Sequence, residues 1–129
     1  MSQLVIKKFA QPDERRPFLS HGHLDLLHLG SSNIGMGVFE PGWKWSKDVQ
    51  PIAGTRSCQS AHSCYVVSGS MEVVMDDGTR SLLIAGDVAY IPPGHDAWVV
   101  GDETCLLLDF EGMADYARRE TSQPSPSMQ

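Results

Sequence analysis

The sequence predicts an all-β domain, a sandwich or barrel built from short strands. Three observations carry this reading. Apolar runs of strand length recur at close spacing from Leu24 to Phe110, punctuated by glycine, proline and asparagine. Asp77-Gly78 is a favoured two-residue hairpin turn, since both central positions need positive φ and this dipeptide tolerates it. Only residues 112–120 carry a helical pattern, and that segment is brief.

Residues 4–9 read as a first short strand, followed by a polar, proline-flanked stretch at 11–17. Strands are expected at 24–29 and 34–40, separated by the turn-rich Gly30-Ser31-Ser32-Asn33. Pro41-Gly42 interrupts the second, and Trp43-Lys44-Trp45 resumes it with both indoles on one side of a period-two strand. In the hairpin at 69–86, a two-residue loop sets Met71 opposite Ile84, Val73 opposite Leu82 and Met75 opposite Arg80, a mostly apolar face. Glu72 with Leu83, Val74 with Ser81 and Asp76 with Thr79 form the other, mixed face. A slip of one residue would invert the arrangement. Residues 88–91, 97–100 and 105–110 continue the series, with Gly94 and Gly101-Asp102 between them. Residues 121–129 have almost nothing to bury and read as a loose tail after a single domain at 1–120.

A length of 129 residues suits one domain. Hydrophobic residues at 41% and charged residues at 20% are the balance of a folded chain. A net charge of −6, with its cations scattered, repels polyanions, so neither nucleic acid nor an anionic membrane is an expected partner. No apolar run approaches the roughly 20 residues that span a bilayer. The first apolar run precedes its lysines, the reverse of a secretion signal, so a cytoplasmic location is the expectation. Cys58, Cys64 and Cys105 are an odd set, too few for a disulfide scaffold, and are expected to be reduced. There is no phosphate-binding glycine loop and no serine in a nucleophile elbow.

Gly86-Asp87-Val88-Ala89-Tyr90-Ile91-Pro92-Pro93-Gly94 places Gly86, Pro92 and Gly94 at the spacing G-x5-P-x-G, and Tyr65-Val66-Val67-Ser68-Gly69 closes an earlier stretch. On these two segments the region 34–110 resembles the cupin superfamily. The resemblance implies a double-stranded β-helix, a jelly-roll barrel commonly paired into homodimers. Here the barrel would carry a short C-terminal helix at 112–120. The fold hosts many unrelated functions and does not by itself assign one. The family's metal-binding glutamate precedes the first glycine by seven positions, where this chain has His62. Its histidines fall at Arg56, Cys58 and Ala97, and Gly101 stands where the second motif ends in asparagine. The three-histidine, one-glutamate site is thus replaced at every position.

The replacements are nonetheless metal-competent. Cys58 and His62 both ligate metals, and His95 lies two residues before Ala97, on the same strand face and displaced by about 6.6–6.8 Å. Cys58, His62 and His95 are therefore the candidate ligands. Their mixed nitrogen–sulfur chemistry favours zinc, iron or copper over magnesium or calcium, with zinc or iron the expected cofactor. Three protein ligands leave a position open for water or substrate. Cys64 shares parity with His62 and is an alternate fourth ligand or pocket residue. Arg56 is a candidate clamp for a substrate carboxylate, and Trp98 a candidate wall at the pocket mouth. Trp43 and Trp45 either wall a pocket or simply fill a small barrel.

Plainer readings stand beside these. Cys58 and His62 fit a buried thiol next to a hydrogen-bonded histidine. Arg56 fits a structural ion pair. Asp96 fits a turn that bonds nearby amides as well as a carboxylate orienting His95. His21, His23 and His28 read as ordinary surface or strand histidines, since an isolated H-x-H is a weak signal.

Three functions fit these residues. The first is a non-catalytic or sensory barrel that binds a small molecule, a metal or both. The second is a metal-dependent enzyme, dioxygenase- or isomerase-like, acting on a small anionic substrate. The third is a dimeric scaffold without a metal. No catalytic residue is assigned.

Overall fold

In the computed structural model, residues 3–111 and 116–118 are described. Nine strands occur among them: β1 (Glu14–Pro17), β2 (Gly22–Leu29), β3 (Ser32–Phe39), β4 (His62–Ser68), β5 (Ser70–Met75), β6 (Arg80–Ile84), β7 (Val88–Ile91), β8 (His95–Val99) and β9 (Cys105–Asp109). They form two antiparallel sheets, one in the order β1-β2-β3-β9-β4-β7 and one in the order β6-β5-β8. Two four-residue helices, α1 (Trp45–Asp48) and α2 (Gln50–Ala53), connect β3 to the segment before β4. No helix among the described residues is long and apolar enough to cross a membrane.

Alternation makes the barrel. On β8, His95, Ala97 and Val99 are buried while Asp96 and Trp98 are half-buried on the opposite face. On β9 the buried set is Cys105, Leu107 and Asp109, and on β4 it is His62, Cys64 and Val66. These inward positions of both sheets meet in one core with Leu24, Leu26, Phe39, Met71 and Val73. Each large aliphatic side chain removed from water there contributes about 1.5–3 kcal/mol before chain entropy is counted.

The strands expected at 24–29, 34–40, 88–91, 97–100 and 105–110 are present within a residue or two, but other expectations need correction. Residues 4–8 form no strand, because β1 occupies the sheet edge instead, its Arg15 held 2.7 Å from Asp25 of β2. Trp43 lies outside any strand and Trp45 opens α1, although both indoles are buried as expected. The C-terminal helix expected at 112–120 falls largely outside the described residues, of which Tyr116 and Ala117 form a buried turn. The tail at 121–129 also lies outside them.

The β5–β6 hairpin departs from the expected register by one residue. Met71 pairs with Leu83, Glu72 with Leu82 and Val73 with Ser81. The loop explains the slip. The Met75 amide donates to the Thr79 carbonyl and the Gly78 amide to the Met75 carbonyl, so Asp76, Asp77 and Gly78 turn the chain together. Gly78, at φ 90°, takes the left-handed position that closes a three-residue loop. Leu83 consequently joins Met71 and Val73 in the core, while Leu82 and Ile84 stand 49% and 50% exposed.

Candidate metal centre

Backbone geometry brings Cys58 to His95. The two residues form an isolated antiparallel bridge, with the Cys58 amide donating to the His95 carbonyl at 2.7 Å. The turn through Pro92-Pro93-Gly94 makes this pairing possible. Gly94 adopts φ 93°, and its amide donates to the Cys58 carbonyl at 2.7 Å. His62 is the first residue of β4, and its inward parity aims it at the same interior. One ligand atom from each of Cys58, His62 and His95 falls within 4.8 Å of the others, and all three residues are buried.

Both imidazoles are oriented from behind. His62 Nδ1 donates to Asp109 Oδ2 at 2.5 Å, and the Asp109 carboxylate is itself held by the Glu111 amide. His95 Nδ1 donates to the Pro92 carbonyl at 2.8 Å. In both rings Nε2 is left for the cluster. A backing carboxylate or carbonyl on Nδ1 is the usual way a metal-binding imidazole is fixed. His62 Nε2 lies 3.8 Å from Cys58 Sγ. A tetrahedral ion with bonds of about 2.3 Å to sulfur and 2.0–2.1 Å to nitrogen would place those atoms about 3.6 Å apart. Donor type, separation and backing all fit a thiophilic divalent ion.

The electrostatics are those of an ion pair. Burial alone would raise the Cys58 thiol, but hydrogen bonds from His62 and His95 outweigh it and bring the pKa down to about 6. Burial alone would lower His62, but the Asp109 hydrogen bond and the Cys58 thiolate raise it to about 9. Near neutral pH the metal-free pair is thiolate and imidazolium. Cys64 and Cys105 lack such partners among the described residues, and burial pushes them up to about 11 and 12.

Two spaces adjoin the cluster. An inner cavity of about 30 Å³ is walled by Trp43, Trp45, His62, His95, Asp109 and Tyr116 with apolar neighbours. An outer cleft of about 230 Å³ lies against α2 and is lined by Cys58, Gln59, Ser60 and Thr55. Trp45 and Tyr116 belong to both walls. The Tyr116 ring meets His62 edge-on, 5.3 Å between centroids.

The structure thus gathers Cys58, His62 and His95, and places Cys64 on the inner cavity wall but outside the three-residue cluster. Two pocket assignments need correction. Arg56 is exposed on the loop before Ser57 and is not among the residues that line either space. Trp98 faces outward, one residue out of phase with His95 and Ala97, and its ring packs under Lys44 and Arg80 at 5.2 and 5.3 Å. Asp96 accepts from the Ser46 and Ala97 amides and so takes the turn-like role. His21, His23 and His28 bond to Ser20, Asp25 and Asn33 respectively, far from the cluster in register. Asp109 was missed. Its signal was legible, as a carboxylate on the inward parity of an otherwise apolar strand. Tyr116 had no such signal.

Comparison with known families decides the identity of the fold. A family model described as the EutQ-like cupin domain matches residues 44–108, half of the chain. This chain belongs to the EutQ-like cupin family.

Among solved structures, this cupin is similar to an RmlC-like cupin from Shewanella frigidimarina, at 20% identity and TM-score 0.60, covering 88% of this chain and 95% of that one. It is also similar to the polyketide cyclase RemF from Streptomyces resistomycificus, at 20% identity and TM-score 0.59, covering 84% and 79%. KdgF from a Halomonas species matches at 20% identity and TM-score 0.52, covering 74% and 82%. At these identities the likeness is one of fold. No curated protein sequence matches the chain.

Proposed function

We propose that this EutQ-like cupin is a binding barrel that holds a divalent transition metal, zinc or iron, between Cys58, His62 and His95 and takes a small molecule beside it. One observation carries the reading: three buried donors of metal-ligating type converge within 4.8 Å, with both imidazoles oriented by partners on Nδ1. When bound, such an ion supplies an open Lewis-acidic position. The residues themselves hold the donors in place, and Tyr116 and Trp45 shield them from bulk water. Metal analysis of untagged protein, kept reduced and never chelated, is the test. Near-stoichiometric zinc or iron, lost in Cys58→Ala and His62→Ala, is the expected result. Metal-free protein that also refuses added zinc overturns it.

A second reading, an enzyme, has one observation in its favour. Cys58, His62 and Asp109 stand in the order thiol, imidazole and carboxylate, with the thiol already acidified to about 6. That arrangement activates sulfur nucleophiles, and RemF, named a polyketide cyclase, shares the fold. Turnover by metal-free protein, abolished in Cys58→Ser, separates this reading from the first.

The proposal includes a homodimer. Its support is the outward face of β4, β7 and β9, where Tyr65 pairs with both Val88 and Leu108. Val88 is 80% and Tyr90 62% exposed on the same face. An antiparallel sheet that meets water on one side alternates apolar with polar residues. This one carries large apolar residues on its outer side as well, as expected of a face that a second copy covers.

A further inference from the structure

Trp43 and Trp45 are both 2% exposed, and both wall the inner cavity. Each indole carries one N–H donor and no acceptor. Neither Nε1 has a hydrogen-bond partner among the described residues. A buried tryptophan N–H ordinarily finds an acceptor, and buried donors left unpaired are rare in folded proteins. Two unpaired donors on tryptophans that line one cavity point to an acceptor that the chain itself does not supply.

The cavity wall explains why it does not. Asp109 already accepts from His62 and from the Glu111 amide. The other lining groups include Phe39, Ile91, Ala97 and Leu107, which accept nothing, and Met71, whose sulfur accepts only weakly. At about 30 Å³, the space suits a water or two, or an end group of two or three heavy atoms. Arg56, the residue expected to clamp an anion, lies outside this wall.

We infer that the indole N–H groups of Trp43 and Trp45 form an acceptor site for the carboxylate of a small organic acid, seated beside the Cys58, His62 and His95 cluster. The inference rests on the metal reading, because Asp109 and the Cys58 thiolate outnumber the single His62 imidazolium and repel an anion unless a bound metal cation offsets them. It names the ligand class that the proposed function leaves open. The orphan donors replace the missing guanidinium, and the cavity's volume limits what enters to the acid group itself.

The chain has three tryptophans, so its indole N–H signals make a self-controlled test. Zinc is first added to the full-length protein and its stoichiometry measured. Formate is then titrated into the zinc-loaded, nitrogen-15-labelled sample. Saturable shifts of the Trp43 and Trp45 signals are expected, with Trp98 unmoved because it packs outside under Lys44 and Arg80. Trp43→Phe and Trp45→Phe are each expected to weaken formate binding about tenfold, the factor of one lost hydrogen bond to a charged group. Zinc bound with both indole signals indifferent to formate overturns this inference alone, whatever the variants do. Failure to bind zinc overturns the inference and the metal reading together. Equal movement of all three signals means a nonspecific salt effect and also overturns it.

Discussion

At the scale of single residues, Cys58 and His62 share a proton in a way that predicts an unusual pH response. The Cys58 pKa falls from 9.0 to about 6, so its stabilisation is complete above pH 9 and is lost as pH falls through 6. The His62 pKa rises from 6.5 to about 9, so its stabilisation is complete below pH 6.5 and is lost as pH rises through 9. Between 6.5 and 9 the two slopes have opposite signs and cancel. The metal-free protein is expected to show flat stability across that window in urea denaturation. Cys58→Ser leaves only the His62 slope, so its stability should decline as pH rises. A steep wild-type profile between pH 6.5 and 9 would refute the ion pair. Of these residues, His95 was located by the cupin resemblance, which marks Ala97, together with the strand parity that puts His95 on the same face. The same parity argues against Trp98, one position away on the other face, while Arg56 sits on a loop where parity carries no information. Asp109 was readable by the same rule. Tyr116 was not, because it arrives from a turn whose φ of 53° at Ala117 no local pattern announces.

At the scale of elements, the hairpin shows why alternation is easier to read than loop length. Asp77-Gly78 is compatible with a two-residue loop and with a three-residue loop whose last position is glycine. The choice between them moves Leu82 and Ile84 from core to surface, and composition alone does not make it. Two glycines give a graded test of this backbone account. A Cβ at Gly78 meets nothing within 4 Å, so Gly78→Ala carries only the positive-φ penalty, about 1 kcal/mol. A Cβ at Gly69 meets Cys105 Cα at 2.6 Å and the Thr104 carbonyl oxygen at 2.7 Å, where β4 turns into β5 beside β9. Gly69→Ala is therefore expected to cost about 3 kcal/mol or more. Equal losses for the two variants in chemical denaturation would contradict the packing described at Gly69.

At the scale of the whole molecule, the motif spacing around Gly86, Pro92 and Gly94 was enough to name the architecture. Pairing of distant strands, such as β3 with β9, came only with that resemblance. The outer face was not legible, because Val88 and Tyr90 read as ordinary strand residues until neighbouring strands lay beside them. If a second copy covers that face, light scattering should give twice the 14.2 kDa chain mass. A charge placed on it by Val88→Glu, its most exposed apolar residue, should yield monomers that still bind metal. A wild-type monomer at high concentration would rule the arrangement out.

The bridge between Cys58 and His95 has a mechanical consequence. β8 belongs to the smaller sheet, while Cys58 leads into β4 of the larger, and the backbone bonds between them stitch the two halves of the barrel at one end. An ion seated across those residues, as proposed, would be a rivet through that seam. Emptying it would loosen a joint rather than a loop, so the amide protons of Cys58, Gly94 and His95 would become a gauge of occupancy that reads the backbone alone.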